Sequence, residues 1–462
     1  MVPFIHIMKT PWANYAYDVN KHSIIRISDR TVKWLYGCDD TEKEEQQELF
    51  LLHNSGYFKS NPIQKIEHPL THIINGYLNN NLNNITLQTT MGCNFYCAYC
   101  SFSGEGVLDR THQNTHMKWE TAKAALDFFV EHSRYSPILD ISFYGGEPLL
   151  NYPVIKKSVN YLIEKSFGKK LCFHMTTNAY LLNEEVVEFL KENSFDLLVS
   201  FDGPDFVHNK NRKLAINGKG THSVVYNHLK MIVDNYSDYT SNITLNAVID
   251  PETDIGLVYD YFNQDAIINK FKYQFSIMDQ SKLDLTYALN PKTKKENMFE
   301  ELQSIFNNSG KLHASIRNNN IDSKYKLLND NLKNKFPLPS TFHPRGQCAV
   351  GYKKLFVDVN GDFWPCEKIS GASEYLRIGS VTTGFDYDKI NEIINFGKQN
   401  DNHCQRCWAI RFCNICLATL DNTHNLSHSL CGTVCRDTRK EIEEQLLNLI
   451  VASEIRDSTL VI

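Results

Sequence analysis

Between residues 84 and 317, short apolar runs alternate with longer stretches whose apolar residues recur every three to four positions. The runs at 85–90, 138–144, 170–177, 197–201, 242–249 and 271–278 predict strands. The stretches at 118–132, 153–165, 183–193, 223–235, 254–262 and 292–306 predict helices. Strand–helix repetition predicts an α/β fold, a parallel sheet covered by helices. Six such repeats are too few for the usual eight-stranded barrel, which leaves a partial, open barrel or an open sheet. In either case chemistry is expected at the C-terminal ends of the strands.

Residues 1–83 read as a small α+β module ahead of this core. Strands are predicted at 4–8, 14–19 and 23–27, the last two joined through Asn20-Lys21-His22. A helix capped by Asp29 carries Val32, Leu35 and Tyr36, and a second, from Thr41, carries Leu49, Leu51 and Leu52. On physical grounds alone the module is a packing extension of the main domain. Beyond the core (84–317), residues 318–347 read as a connector, 348–435 as a cysteine-rich segment, and 436–462 as a closing region. That region carries an amphipathic helix from Thr438 to about Ile455, with Leu446, Leu447 and Ile450 on its apolar face.

Composition narrows the classes. Hydrophobic residues make up 42% and charged residues 22% of the 462, an ordinary globular balance. A formal net charge of −5 argues against an extended nucleic-acid or membrane-surface footprint. No apolar run approaches the length that spans a bilayer, and the first residues lack the basic region and apolar core of a secretory signal. The expectation is a cytoplasmic protein.

The 13 cysteines are unevenly placed. Cys38 and Cys172 stand alone and read as small apolar residues. Three more lie in Cys93-Asn-Phe-Tyr-Cys97-Ala-Tyr-Cys100, directly after the first core strand. The remaining eight are Cys348, Cys366, Cys404, Cys407, Cys413, Cys416, Cys431 and Cys435. In a reducing compartment such clusters favour metal ligation over disulfides. Three thiolates on one short loop suit zinc or an iron–sulfur cluster; three ligands to a four-iron cluster leave one iron open for a substrate or cofactor. Tyr144-Gly145-Gly146-Glu147-Pro148 ends the second core strand, where glycines permit close backbone approach and a carboxylate can pair with an ammonium.

With this Cys-x₃-Cys-x₂-Cys loop and Gly-Gly-Glu-Pro string, the chain resembles the radical S-adenosylmethionine (SAM) superfamily. The resemblance implies a partial (β/α)6 barrel whose [4Fe-4S] cluster is held by Cys93, Cys97 and Cys100. Its open iron would chelate SAM, and one electron would release a 5′-deoxyadenosyl radical. It further implies SAM contacts from Tyr99 beside the adenine, from Gly145, Gly146 and Glu147 at the methionyl amino group, and from Thr177, Asn178, Ser200 and Asp202 at later strand ends. Arg212 reads equally as a SAM carboxylate ligand and as a surface salt bridge.

Eight later cysteines could fill two four-thiolate sites, of zinc or of iron and sulfur. The Gly361-x₄-Cys366 element and the Cys404-x₂-Cys407-x₅-Cys413 run resemble the SPASM extension of radical SAM enzymes, implying two auxiliary [4Fe-4S] clusters. The family's next spacing is Cys-x₃-Cys, whereas Cys413 and Cys416 are separated by two residues. The resemblance groups Cys348, Cys366 and Cys416 at one cluster. It groups Cys404, Cys407 and Cys413 at the other, completed by Cys435 in preference to Cys431. Glu367, next to Cys366, reads either as a general base or as a salt-bridged loop residue.

SPASM enzymes mostly modify peptides or proteins, and the strands-then-helices start is similar to the leader-recognition element of ribosomal-peptide maturases. The pattern around Phe363-Trp-Pro-Cys366-Glu367 most resembles thioether-forming maturases, the ranthipeptide synthases. The expected partners are a precursor peptide, its leader held by the N-terminal module, and a flavodoxin- or ferredoxin-type electron donor. The alternatives are a formylglycine-generating sulfatase maturase, a carbon–carbon crosslinking or decarboxylating peptide maturase, and, outside enzymes, a zinc-dependent binding protein.

Overall fold

A computed structural model describes residues 2–37, 43–100, 102, 111–250, 253–277, 328–344 and 349–456. The expected helix at 292–306, and Cys38 and Cys348, lie outside the described residues.

The chain opens with β1 (Ile5–Lys9), β2 (Asn14–Asp18) and β3 (Ser23–Ile27), an antiparallel meander in the order β1-β2-β3. Helix α1 (Asp29–Leu35) follows, and its cap differs from the expectation. Ser28 caps it, accepting from the Thr31 amide at 3.1 Å, because Asp29 already has helical geometry and its carboxylate takes the Asn14 side-chain amide instead. Helix α2 (Lys43–Asn54) and the short β4 (Lys65–Ile66) complete this part.

The core strands are β5 (Asn84–Thr90), β7 (Ile138–Gly145), β8 (Lys170–Thr177), β9 (Asp196–Ser200), β11 (Ile243–Ile249) and β12 (Lys272–Ile277), each within two residues of its predicted bounds. Between them lie two strands that pattern alone did not indicate. These are β6 (Phe95–Cys97), inside the cysteine loop, and β10 (Arg212–Leu214), which pair antiparallel with Arg212 opposite Cys97. All six core strands run parallel, in the order β12-β11-β9-β8-β7-β5. This is the partial barrel.

Past β13 (Thr341–Phe342), which pairs with β4, the sheet continues into the cysteine-rich region. Strand β14 (Leu355–Val357) pairs parallel with β5, and β15 (Asp362–Trp364), β16 (Gly379–Ser380) and β17 (Gly384–Phe385) extend it antiparallel. The β14–β15 turn ends in Asn360-Gly361, with Gly361 at φ 91°. It is locked by Asp358, which accepts the amides of Asn360 and Asp362 and the Trp364 indole N–H. Cys366 emerges directly from this hairpin. One apolar core runs from Leu87, Leu139 and Phe143 to Phe356, Phe363, Ile378 and Ile390, so extension and barrel share their packing.

Alternation along the barrel strands positions the site. In β7, Leu139, Ile141 and Phe143 are buried while Asp140, Ser142 and Tyr144 are half-buried. In β8, Phe173 and Met175 are buried and His174 and Thr176 are not. Parallel strands covered on both faces read as continuous apolar runs. Here the covered outer face is apolar, and the inner face lines a cavity of about 500 Å³.

The closing helix also differs from expectation. It spans His428–Arg456, so Cys431 and Cys435 sit four residues apart on one face, their sulfurs at 3.7 Å. No described helix is long and apolar enough to cross a membrane. Phe363→Ala should cost about 3–5 kcal/mol. Chemical denaturation of the cluster-loaded protein checks this, with barrel and extension expected to lose structure together.

Candidate active site

The cysteine loop leaves β5 at Thr90 and is sewn to the end of β7. Gly146 donates its amide to the Thr90 carbonyl at 3.0 Å, and Glu147 to the Gly92 carbonyl at 2.9 Å. A Cβ on Gly145 would lie 2.3 Å from the Thr90 oxygen, and one on Gly146 would lie 2.1 Å from the Gly92 oxygen. The glycines admit the cysteine loop itself, a nearer demand on space than the approach to a ligand anticipated from sequence.

On its other side the loop is clamped by a buried ion pair. Arg212 Nε and Nη2 donate to the two oxygens of Asp202 at 2.8 and 3.0 Å, a bidentate fork. Asp202 Oδ1 also accepts the Val248 amide of β11 at 2.8 Å, and Oδ2 accepts the Tyr99 hydroxyl. The guanidinium carbon lies 5.3 Å from the centre of the Tyr99 ring. Asp202 is fully buried and Arg212 nearly so, which excludes the surface-bridge alternative. Two further residues, not singled out from sequence, hold this corner. His208 Nδ1 faces the Asp202 amide at 3.3 Å, and His208 Nε2 faces Thr221 Oγ1 at 3.1 Å. Burial, with Arg212 and His222 nearby, drives the His208 pKa well below its ordinary value, so the ring is neutral.

Glu147 is fully enclosed. Its carboxylate accepts from the Leu149 amide at 3.1 Å, from Thr177 Oγ1 at 2.8 Å and from the Asn178 amide at 2.7 Å, tying the ends of β7 and β8 together. Burial pushes its pKa up to about 7 against these three bonds. Asn178 reaches the loop, donating to Asn94 Oδ1 at 2.8 Å. Ser200 closes β9 opposite Asn246 of β11 and is half-buried.

The three thiols of the loop repel one another as thiolates. Burial foremost, then the nearby carboxylate and thiols, pushes Cys93 up to about 12; burial pushes Cys97 up to about 11 although Arg212 pulls it down. Buried thiolates need compensating positive charge, which iron supplies. His112, which stood outside the sequence-based set, places Nε2 at 3.8 Å from Cys100 Sγ. Among the described residues no three His, Cys, Asp or Glu side chains form a single-ion site; ligands of a four-iron cluster bind separate irons.

The later cysteines fall into two groups. Cys404, Cys407, Cys413 and Cys435 lie close enough to raise one another, Cys404 to about 12 and Cys413 to about 11, burial being the largest cause in both. Cys431 sits beside Cys435, also within reach of Cys404 and Cys413, and accepts from Asn400 Nδ2 at 3.2 Å. Cys366 is pushed up to about 11 by burial, then by Glu367 and Cys416. Glu367 pairs with Lys354, and both line the barrel cavity. In that cavity His174 stands between Asp140 at 3.2 Å and Asp196 at 3.7 Å, its pKa raised chiefly by Asp140. The polar alternation of β7 and β8 was the signal that could have found this lining.

Residues 87–255 match the profile of the Radical SAM superfamily. Over 341 residues the chain is 25% identical to a cysteine-type anaerobic sulfatase-maturating enzyme of Clostridium perfringens, spanning 70% of this chain and 85% of that one. Over 368 residues it is 22% identical to the radical SAM cyclopropyl synthase TigE of Paramaledivibacter caminithermalis, spanning 74% and 69%. A 122-residue stretch, 32% identical, matches a Methanocaldococcus jannaschii protein of which the chain spans 39%. Among solved structures, native anSMEcpe with bound AdoMet and Cp18Cys peptide superposes with a TM-score of 0.56 at 22% identity. That match covers 81% of this chain and 99% of that one, and it shows the shared fold.

Two outcomes follow from the geometry. Gly146→Ala should weaken SAM binding roughly tenfold or more, measured by equilibrium dialysis, because the added methyl displaces the cysteine loop. Because the folded-state pKa of Glu147 exceeds the ordinary 4.5, its proton stays bound in the folded chain between pH 4.5 and about 7. The stability it contributes is full below that window and lost as pH rises through it. Urea denaturation across this range should show the slope flattened in Glu147→Gln.

Proposed function

This chain is a member of the radical SAM superfamily, and from that premise we propose that it matures a ribosomally made precursor peptide by closing a thioether between a cysteine sulfur and a carbon of another residue. The observation that carries the reading is the position of Glu367. It follows the auxiliary-cluster ligand Cys366, yet lines the same cavity as Tyr144 and Thr176 near the C-terminal strand ends. A proton acceptor thus faces the barrel interior, in a cavity that runs from the strand starts beside Lys354 toward Tyr144 and Thr176.

SAM and the cluster bound by Cys93, Cys97 and Cys100 would supply hydrogen-atom abstraction at the strand ends, and an auxiliary cluster held by the later cysteines would supply an electron acceptor. Tyr99, Asp202 and Arg212 fix the second cysteine, Cys97, against the barrel. Glu147 fixes Thr177 and Asn178 toward the loop. Glu367 takes the proton of the substrate thiol, and Lys354 pairs with its carboxylate. Two hydrogens leave the peptide: one as an atom taken from carbon, one as the thiol proton. The bond formed is C–S, and the surplus electron passes to the auxiliary field.

Three-stranded β1-β2-β3 ends in the edge strand β3, with no further strand on it among the described residues. Beside its end, a cavity of about 620 Å³ is lined by Trp12, Arg26, Ser28 and Glu48. An extended leader adding to this edge fits both features. A flavodoxin- or ferredoxin-type protein is the proposed electron source.

A second reading, oxidation of a protein cysteine to formylglycine, is favoured by the length of the match to the sulfatase-maturating enzyme. The test is anaerobic turnover with SAM and candidate short cysteine-containing precursor peptides. A two-hydrogen mass loss together with loss of one alkylatable thiol supports the thioether. Exchange of sulfur for carbonyl oxygen supports formylglycine, and two-hydrogen loss with the thiol still alkylatable supports carbon–carbon closure. Glu367→Gln should slow crosslinking roughly 100-fold while deoxyadenosine still forms.

A further inference from the structure

Between Cys407 and Cys413 the chain runs Trp408-Ala409-Ile410-Arg411-Phe412, and these residues pack on the N-terminal sheet. Trp408 stacks flat on His6 of β1, with ring centres 3.8 Å apart and planes 4° apart. Phe412 lies against Tyr17 of β2 and His22 of the β2–β3 turn, at 5.2 and 5.1 Å. Ala409 and Ile410 share a core with Phe4, Met8, Tyr15 and Tyr17.

Arg411 is fully buried and donates to main-chain carbonyls. Its Nε reaches Val19 O at 2.8 Å, and Nη2 reaches Asn20 O at 3.2 Å and Phe336 O at 3.0 Å. A buried guanidinium is tolerated only while its acceptors stay in place. Nearby, Asn61 donates to Gln405 O at 2.7 Å and Gln405 donates to Gln64 O at 3.1 Å. The helix that begins around Cys431 and Cys435 returns to the sheet at its far end. There Glu454 accepts from Tyr15 at 2.8 Å and from Thr10 at 3.0 Å.

Every segment that supplies a thiol to the Cys404, Cys407, Cys413 and Cys435 group therefore also touches the N-terminal module or the chain just after it. A cluster on these thiols fixes both ends of the Trp408–Phe412 loop. Without it, the released residues regain backbone conformational entropy, which opposes docking. Metal binding at such a site is folding free energy, and the coupling runs both ways.

We propose that the auxiliary cluster on Cys404, Cys407, Cys413 and Cys435 is what holds the N-terminal sheet in its docked form, so that only a cluster-loaded enzyme presents its strand edge. The consequence for peptide capture rests on the reading of that edge given above; the mechanical coupling does not.

Hydrogen exchange on the full chain tests the coupling. In a Cys404→Ser/Cys407→Ser variant, amides of β1, β2 and β3 should exchange about tenfold faster than in the loaded enzyme, while β7 and β8 keep their protection. Unchanged exchange in β1–β3, or equal loss in β7 and β8, would overturn the proposal. Arg411→Met keeps every cysteine and supplies the second measurement. In a Cys93→Ala/Cys97→Ala/Cys100→Ala background it should release auxiliary iron to a chelator about tenfold faster, and an unchanged rate counts against the coupling. Binding of the peptide that the enzyme modifies separates the two readings. Equal affinity in loaded and cysteine-substituted protein refutes the gating alone. Absence of binding in both refutes the leader-edge reading and leaves the exchange result standing.

Discussion

The cysteine loop passes the end of β7 at a separation that leaves no room for one methyl group. Two amide-to-carbonyl bonds, from Gly146 to Thr90 and from Glu147 to Gly92, draw the backbones together, and the bare Cα atoms of Gly145 and Gly146 permit it. Everything that depends on the placement of Cys93, Cys97 and Cys100 depends on this contact. The same turn delivers Glu147 into a closed space where Thr177 and Asn178 meet it, so one short string joins three strand ends.

Electrostatics complete what the glycines begin. Asp202 and Arg212 are ten residues apart in sequence and form a buried bidentate pair, with Tyr99 and the Val248 amide filling the remaining acceptor sites. Such a pair contributes little net stability beyond an apolar substitute, yet removal of either partner strands a buried charge. Its worth lies in fixing geometry: Arg212 faces Cys97 across β10–β6, so the pair determines where that thiol stands. The polar inner face of the barrel follows the same logic. It leaves a space of about 500 Å³ where an ordinary barrel would pack aliphatic side chains.

The cysteine-rich extension is continuous with this machinery. β14 lies on β5 in parallel register, and the hairpin locked by Asp358 and Gly361 leads through Cys366 to Glu367, which lines the cavity. On its far side the extension meets the N-terminal sheet through Trp408, Arg411 and Phe412. The extension therefore lies between barrel and module, in contact with both.

Much of this was legible in the chain. Strand and helix periodicity located all six core strands, and the Cys93–Cys97–Cys100 spacing with Gly145-Gly146-Glu147 marked the site, because local pattern and short-range spacing carry those signals. Three features came from tertiary structure. β14 joins the barrel edge through pairing between residues about 270 apart, which periodicity within a window cannot report. Arg212 reads in sequence equally as a SAM carboxylate ligand and as a surface salt bridge; its burial beside Asp202 excludes the second. The closing helix begins at His428 and not at Thr438, since a Cys431–Cys435 face turned toward other thiols does not register as an apolar stripe. Sequence determined which residues could ligate and where strands end; folding decided which of them meet, because contact across a sheet depends on register and burial that no local pattern encodes.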